Sequence, residues 1–209
     1  MVVSVITGVA GQDGSYLAEL LLDKGHTVVG IARRISSSNN YKNISQIINH
    51  PNFKLLQGDI TDYSFLYNSI RDNSPDFWYN LAAQSNVGHS FKEPIGSFEV
   101  NSKSVMMQLK IISEISPHTR FYQASTTEIL GGHKCPDLGY SEKSQFYPVS
   151  PYAISKLTAH WCVRNYREVS GMFACNGITG NHSSPRRGVD FAIRKITSGV
   201  AKVRLGIEK

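Results

Sequence analysis

Residues 2–14 read VVSVITGVAGQDG, a β-branched run carried straight into Gly8-Val9-Ala10-Gly11-Gln12-Asp13-Gly14. The spacing is GxxGxxG, and a helical pattern begins at once over 13–24. A strand that turns through glycines into a helix permits a tight bend, close approach of backbone to a pyrophosphate and close helix–strand packing. The positive end of the helix then faces the anion. The glycine spacing is common by itself; the strand–turn–helix context makes it a prediction of dinucleotide binding.

Outward from that turn the same alternation repeats. Strand patterns fall at 27–32, 53–57, 76–81, 120–125 and 172–178, with helical patterns near 62–72, 97–115 and 152–169. Continuous apolar strands alternating with helices predict an α/β fold, a Rossmann-type doubly wound parallel sheet covered on both faces. Pro51, Pro75 and Pro117 sit just before strands, where they stop the preceding helix. Pro136, Pro148 and Pro151 bracket an irregular stretch from 130 to 150, long for a connection and therefore of functional interest.

Composition excludes several classes. At 41% hydrophobic content, 209 residues can bury a core without staples. Cys135, Cys162 and Cys175 form no CxxC pair, which argues against a disulfide framework and a cysteine zinc cluster and fits a reducing compartment. His133 and Cys135 have no second ligand pair, so no metal site is expected. No apolar run approaches the ~18 residues of a membrane span, and the start lacks a signal peptide's basic and apolar regions. A cytoplasmic protein without a membrane partner is expected. Most of the +6 formal charge lies in 185–209, in Arg186, Arg187, Arg194, Lys195, Lys202, Arg204 and Lys209 against Asp190 and Glu208. Such a local excess points to a phosphate-bearing small partner rather than nucleic acid. Residues 189–204 place Phe191, Ile193, Ile196, Val200 and Val203 among these charges, as in an amphipathic surface helix. Trp161, Cys162 and Tyr166 read as core or interface packing.

Ligands of open α/β sheets gather at the carboxyl ends of the strands. After the second strand stand Arg33 and Arg34, whose guanidiniums suit a 2′-phosphate, so NADP is preferred over NAD. After the third, Asp59 is placed to accept from an adenine amino group, with Ile60 beside it. After the fourth, Leu81, Ala82, Ala83, Gln84 and Ser85 let backbone lie along the cofactor. After the fifth, Thr126 is placed to bond a substrate hydroxyl, and Glu128 lies on the same side if the chain stays extended. A plain alcohol dehydrogenase needs no carboxylate there; abstraction of a carbon-acid proton does. Tyr152 and Lys156 are one helical turn apart and share a face. An ammonium beside a phenol lowers the tyrosine pKa, making Tyr152 a general base for a sugar or alcohol hydroxyl, with Lys156 free to hold a ribose.

GVAGQDGSYLAELLLDKG, ARRISSSN, GDITD, NLAAQS, FYQASTTE, FYPVSPYAISK and NHSSPRRG together resemble the GDP-mannose 4,6-dehydratases, extended short-chain dehydrogenase/reductases, over nearly all of residues 1–205. The GQDGSYL and SPRRG segments are more specific than GxxGxxG or YxxxK. The resemblance implies tightly bound NADP and GDP-mannose as substrate. Tyr152 would deprotonate the 4-hydroxyl as hydride leaves C4, and Glu128 would remove the C5 proton. Water is then lost from C6, where the hydride returns. Thr126 would orient the 4-hydroxyl, and Lys156 would support Tyr152 and the ribose. It also implies that His182 and Arg187 contact the cofactor, that Ser85 and Asn181 face the substrate, and that the protein is a homodimer or homotetramer.

Family members continue beyond position 209. The expected division is therefore 1–180 as the dinucleotide-binding domain and 181–209 as the start of a substrate-binding region, in a C-terminally truncated chain. Other departures touch substrate capture: the family's NHES reads Asn181-His182-Ser183-Ser184, Asn86 stands for a histidine, and Gly96 and Leu130 for tyrosines. Two alternatives follow from them, an enzyme acting on another nucleotide sugar and a catalytically silent NADP-binding module.

Overall fold

The computed structural model describes residues 1–33, 41–132 and 139–207. Six strands, β1 (Val3–Thr7), β2 (Thr27–Ala32), β3 (Phe53–Gln57), β4 (Phe77–Asn80), β5 (Arg120–Ala124) and β6 (Ala174–Gly177), form one sheet in the order β3-β2-β1-β4-β5-β6. Every pairing is parallel. The order reverses at β1, so the crevice between β1 and β4 opens at the carboxyl ends of the strands, where the glycine turn lies.

Helix α1 (Gln12–Asp23) covers one face, with Ile6, Val9, Ala18, Leu21, Leu22, Val28 and Phe53 in its core. Helices α2 (Tyr63–Asn73), α5 (Ser104–Ile115) and α6 (Pro151–Ser170) cover the other, around Val5, Trp78, Leu109, Ile112, Phe121 and Val163. Trp78 and Phe121 are essentially inaccessible, and the Trp78 indole donates to Gln108 Oε1 at 2.7 Å. That bond satisfies the one polar atom which burying a tryptophan would otherwise strand.

The helix expected over 97–115 is only the end of a longer run: α3 (Val87–Lys92), α4 (Pro94–Phe98), a π-helical turn at Glu99–Lys103, then α5. Gly88, Pro94 and Gly96 hide it by breaking the apolar periodicity. Locally, Asn86 Oδ1 caps α3 by accepting from His89 N at 2.9 Å, and Pro94 occupies the first position of α4. Helix α6 starts the same way: Ser150 Oγ accepts from Ala153 N at 3.0 Å, with Pro151 next. These caps place Tyr152 and Lys156 in the first two turns of α6, over the end of β5.

A last helix, α7 (Ala192–Arg204), follows β6 and buries no residue. Among the described residues no helix is long and apolar enough to cross a membrane.

Candidate active site

The glycine turn is tight for a steric reason. Gly8 has φ +71°, and a Cβ there would meet Ala82 N at 2.8 Å; a Cβ on Gly14 would meet Gly8 O at 2.4 Å. Side chains at these positions would push β1 from β4 or α1 from the turn. Helix α1 begins at Gly11 with no side-chain cap, which leaves its first N–H groups available to an anion.

The turn is one end of a crevice of about 840 Å³. Gly8, Ala10, Gly11, Gln12, Asp13 and Gly14 line it, as do Arg33, Asp59 and Ile60. The backbone stretch from Leu81 through Ser85 forms its floor, and Asn181, His182 and Arg187 its rim. Thr126, Glu128, Tyr152 and Lys156 close the far end. Val9 is the exception: it is fully buried in the α1 core and does not reach the crevice. Its side chain fills the space above Gly30, where a Cβ would lie 2.6 Å from Val9 Cγ1. Arg34, His133 and Cys135 lie outside the described residues.

At the reacting end, two expectations need correction. The chain does not stay extended after β5. Thr126 Oγ1 accepts from Glu128 N at 3.2 Å and caps a 3-10 turn, Thr127–Leu130, so Glu128 enters the crevice from a helical turn. Lys156 does not depress Tyr152. Its ammonium donates to Ala124 O at 2.9 Å and stands 6.0 Å from the Tyr152 ring centroid. Burial pushes the phenol above its ordinary value, Glu128 adds to the rise, and a hydrogen bond with Thr126 and the charge of Arg187 pull it down. Among the described residues, the cation that pulls the Tyr152 pKa down is thus Arg187. Burial in turn lowers Lys156 to about 8.

Residues 180–188 form a strap across the start of α1. His182 Nε2 meets Asp13 Oδ1 at 2.9 Å, and its pKa is raised by bonds to Gly180 O and Asp13. Ser184 Oγ donates to Gln12 Oε1 at 3.0 Å. Arg186 stacks on Tyr16, its guanidinium carbon 4.0 Å from the ring centroid, and donates to Ser15 Oγ and Glu19 Oε1 at 3.1 and 2.7 Å. Of the adjacent Arg186 and Arg187, Arg186 is committed to holding the strap. Arg187 lies over the Phe191 ring at 3.8 Å, with a buried Nε that has no partner.

Several site residues escaped the sequence reading. Asn101, in the π-helical turn, exchanges two 2.9 Å hydrogen bonds with the Gln84 backbone and donates to Ser155 Oγ, tying the crevice floor to α6. Only the break in helical period, which a linear pattern does not display, would have revealed it. Ser125 sits 4% exposed beside Thr126, and its hydroxyl has no partner among the described residues.

Among the described residues, three partnerless buried atoms, Gln84 Oε1, Ser125 Oγ and Arg187 Nε, therefore belong to residues lining one crevice. Buried polar groups lack partners rarely, and a cluster of them along a glycine-lined groove fits a large polar ligand such as a dinucleotide.

A family profile described as GDP-mannose 4,6 dehydratase matches residues 5–209. The GDP-mannose 4,6-dehydratase of Yersinia enterocolitica is 47% identical over 98% of this chain, and the human GDP-mannose 4,6 dehydratase 44% over 98%. In each case the chain spans 56% of the relative's length. The crystal structure of DesIV, a dTDP-glucose 4,6-dehydratase from Streptomyces venezuelae with NAD and TYD bound, superposes with a TM-score of 0.83 at 23% identity. The match covers 96% of this chain and 62% of that one. Profile and identities agree over almost the whole sequence, and the chain belongs to the GDP-mannose 4,6-dehydratase family.

Proposed function

We propose that the chain carries the dinucleotide-binding and reacting part of an NADP-dependent GDP-mannose 4,6-dehydratase, a cytoplasmic enzyme forming GDP-4-keto-6-deoxymannose. The observation that supports this reading most is the convergence of the glycine turn, Thr126, Glu128, Tyr152 and Lys156 on one crevice. Relatives carrying the dehydratase name support the reaction.

The glycine turn and the N-terminus of α1 would hold the pyrophosphate, Asp59 the adenine, and Arg33 with Arg34 the 2′-phosphate. NADP bound there would supply the acceptor for the C4 hydride of the sugar and the store from which that hydride goes back to C6. Thr126 and Tyr152 take the 4-hydroxyl between them, and Tyr152 removes its proton. Arg187 favours the resulting phenolate, against the burial that otherwise keeps Tyr152 protonated. The C4 ketone acidifies the C5 proton, which Glu128 abstracts and gives to the C6 hydroxyl as it leaves as water; once hydride has reached C6, the proton held by Tyr152 returns to C5. Lys156 holds the cofactor ribose from the far end of the crevice. Residues 181–209 would begin the substrate-binding region, in keeping with an α7 that buries nothing. A homodimer or homotetramer goes with this reading. Exposed Phe98, Met106, Ile154 and Trp161 on α4, α5 and α6 support it, and sedimentation velocity tests it.

The function is tested by incubating the chain with NADP and GDP-mannose and following the 4-keto product. Glu128→Gln should keep its NADP affinity, read calorimetrically against NAD, and lose dehydration by about 10²–10⁴-fold. A Glu128→Gln protein that dehydrates at the parental rate would remove Glu128 from the mechanism. NADP binding without GDP-mannose affinity would favour the silent module, and depletion of a different nucleotide sugar would favour the other alternative.

A further inference from the structure

Beneath the crevice floor lies a row of buried polar side chains for which the proposed reaction has no use. Thr7 on β1, Asn80 on β4 and Gln123 on β5 are in register, Thr7 opposite Asn80 and Asn80 opposite Gln123. All three are at most 1% exposed. They share the sheet face that α6 covers, since Val5, Trp78 and Phe121, two residues earlier in each strand, belong to its core.

The hydrogen bonds along this row run in one direction. Thr7 Oγ1 accepts from Leu81 N and Ala82 N, both at 3.1 Å, so its own proton goes to Asn80 Oδ1 at 2.6 Å. The Asn80 amide is thereby oriented, and its Nδ2 donates to Gln123 Oε1 at 2.7 Å. Gln123 is oriented in turn, and its Nε2 donates to Ala124 O at 2.9 Å. That carbonyl is the acceptor of Lys156 Nζ, also at 2.9 Å. Three aligned dipoles thus end with their positive side at the oxygen that holds a buried ammonium.

We propose that Gln123 is a positioning residue for Lys156, setting through the Ala124 carbonyl both the place of the ammonium and its hold on its proton, with Asn80 and Thr7 deciding which way the Gln123 amide points. A carbonyl already occupied by an amide donor is a poorer acceptor for a cation, and the donor end of a dipole opposes nearby positive charge, more so away from water. Both effects add to the burial that lowers Lys156. The titratable group beside Lys156 is Tyr152 on the same helix, and Glu128 from the turn after β5 and Arg187 from the strap act on Tyr152 and line the same crevice. The groups contributed by β1, β4 and β5 are the neutral Thr7, Asn80 and Gln123. This deepens the role given to Lys156 above and rests on it for its consequence.

The test is an NMR titration of the Lys156 side chain in the cofactor-free 209-residue protein, its resonance assigned by its loss in Lys156→Arg. In Gln123→Met the Ala124 carbonyl serves the ammonium alone, and the midpoint should move upward. In Gln123→Glu a carboxylate replaces the opposing dipole, and the rise should reach about one pH unit or more, a tenfold change in proton affinity. A side chain that merely supported the sheet would lower the melting temperature and leave the midpoint alone. A midpoint unchanged or lowered in either folded variant overturns the inference. If neither variant folds, Asn80→Asp decides: its second oxygen accepts from Gln123 Nε2, reversing that amide, and the Lys156 midpoint must again rise. Because no cofactor is present, failure of the dehydratase reading would appear separately, as absent NADP binding with this titration intact.

Discussion

Helices α6 and α7 are both amphipathic by sequence, and the fold treats them oppositely. Helix α6 buries Tyr152, Ala153, Ser155, Lys156, Ala159 and Val163, whereas α7 leaves Ile193, Ile196, Val200 and Val203 more than half exposed. Their surroundings explain the contrast. Helix α6 connects two neighbouring parallel strands, β5 and β6, and must lie back across the sheet to do so. Helix α7 follows the last strand and is anchored through the strap before it, chiefly by Arg186 on Glu19, Ser15 and Tyr16. An apolar stripe tells that a helix has a face to cover; chain connectivity decides whether this part of the molecule covers it.

The comparison breaks if truncation costs the same on both sides. Phe121→Ala, on the strand beneath the α6 layer, should cost about 3–5 kcal/mol in denaturant unfolding, while Ile196→Ala on α7 should stay within about 0.5 kcal/mol. Equal losses would mean that α7 is packed after all.

Charge sharpens the contrast next. Lys156 is 3% exposed with its pKa lowered to about 8, whereas Lys195 on α7 is exposed. A lysine that binds its proton less tightly when folded destabilises the fold wherever it must be charged. Its burden is full below pH 8 and relaxes as pH rises from 8 towards the unfolded value of 10.5. Lys156→Met should therefore stabilise the protein by up to about 3 kcal/mol at pH 7, with the gain shrinking above pH 8. Lys195→Met, at an exposed position, should change stability by no more than about 0.5 kcal/mol. A gain at Lys156 that ignores pH would exclude the buried charge as its source.

The smallest effect tests what holds α7 in place. Arg186 and Glu19 have side chains only 18% and 26% exposed, and Arg186→Ala should cost about 1–2 kcal/mol. Hydrogen exchange should rise over residues 180–207 and remain unchanged in α6. Exchange that rises equally in both would mean that the strap also holds the sheet.

Much of this arrangement was legible in the sequence because it is local. A β-branched run meeting GxxGxxG, or a tyrosine four residues before a lysine in a helix, carries its geometry within one turn of chain. All six strands and the order of the main helices could be read that way. The misreadings are long-range. Arg186 and Arg187 are adjacent, chemically identical and both line the crevice, yet one is tied to Glu19 and the other lies over Phe191. Tyr152 and Lys156 share a helix face as expected, but the lysine found Ala124 O rather than the phenol.

What the residues alone settled is the alternation of strand and helix, the glycine turn and the set of groups gathered at the carboxyl ends of the strands. These follow from backbone sterics and side-chain period, which act over a few residues. Only the tertiary structure decided the registered row of Thr7, Asn80 and Gln123, the cation that faces Tyr152, and the uncovered face of α7. Those depend on how residues as many as 172 positions apart meet, as Gln12 meets Ser184, and on the loss of water between them. Desolvation by distant neighbours is a property of the packed molecule, and no stretch of chain carries it by itself.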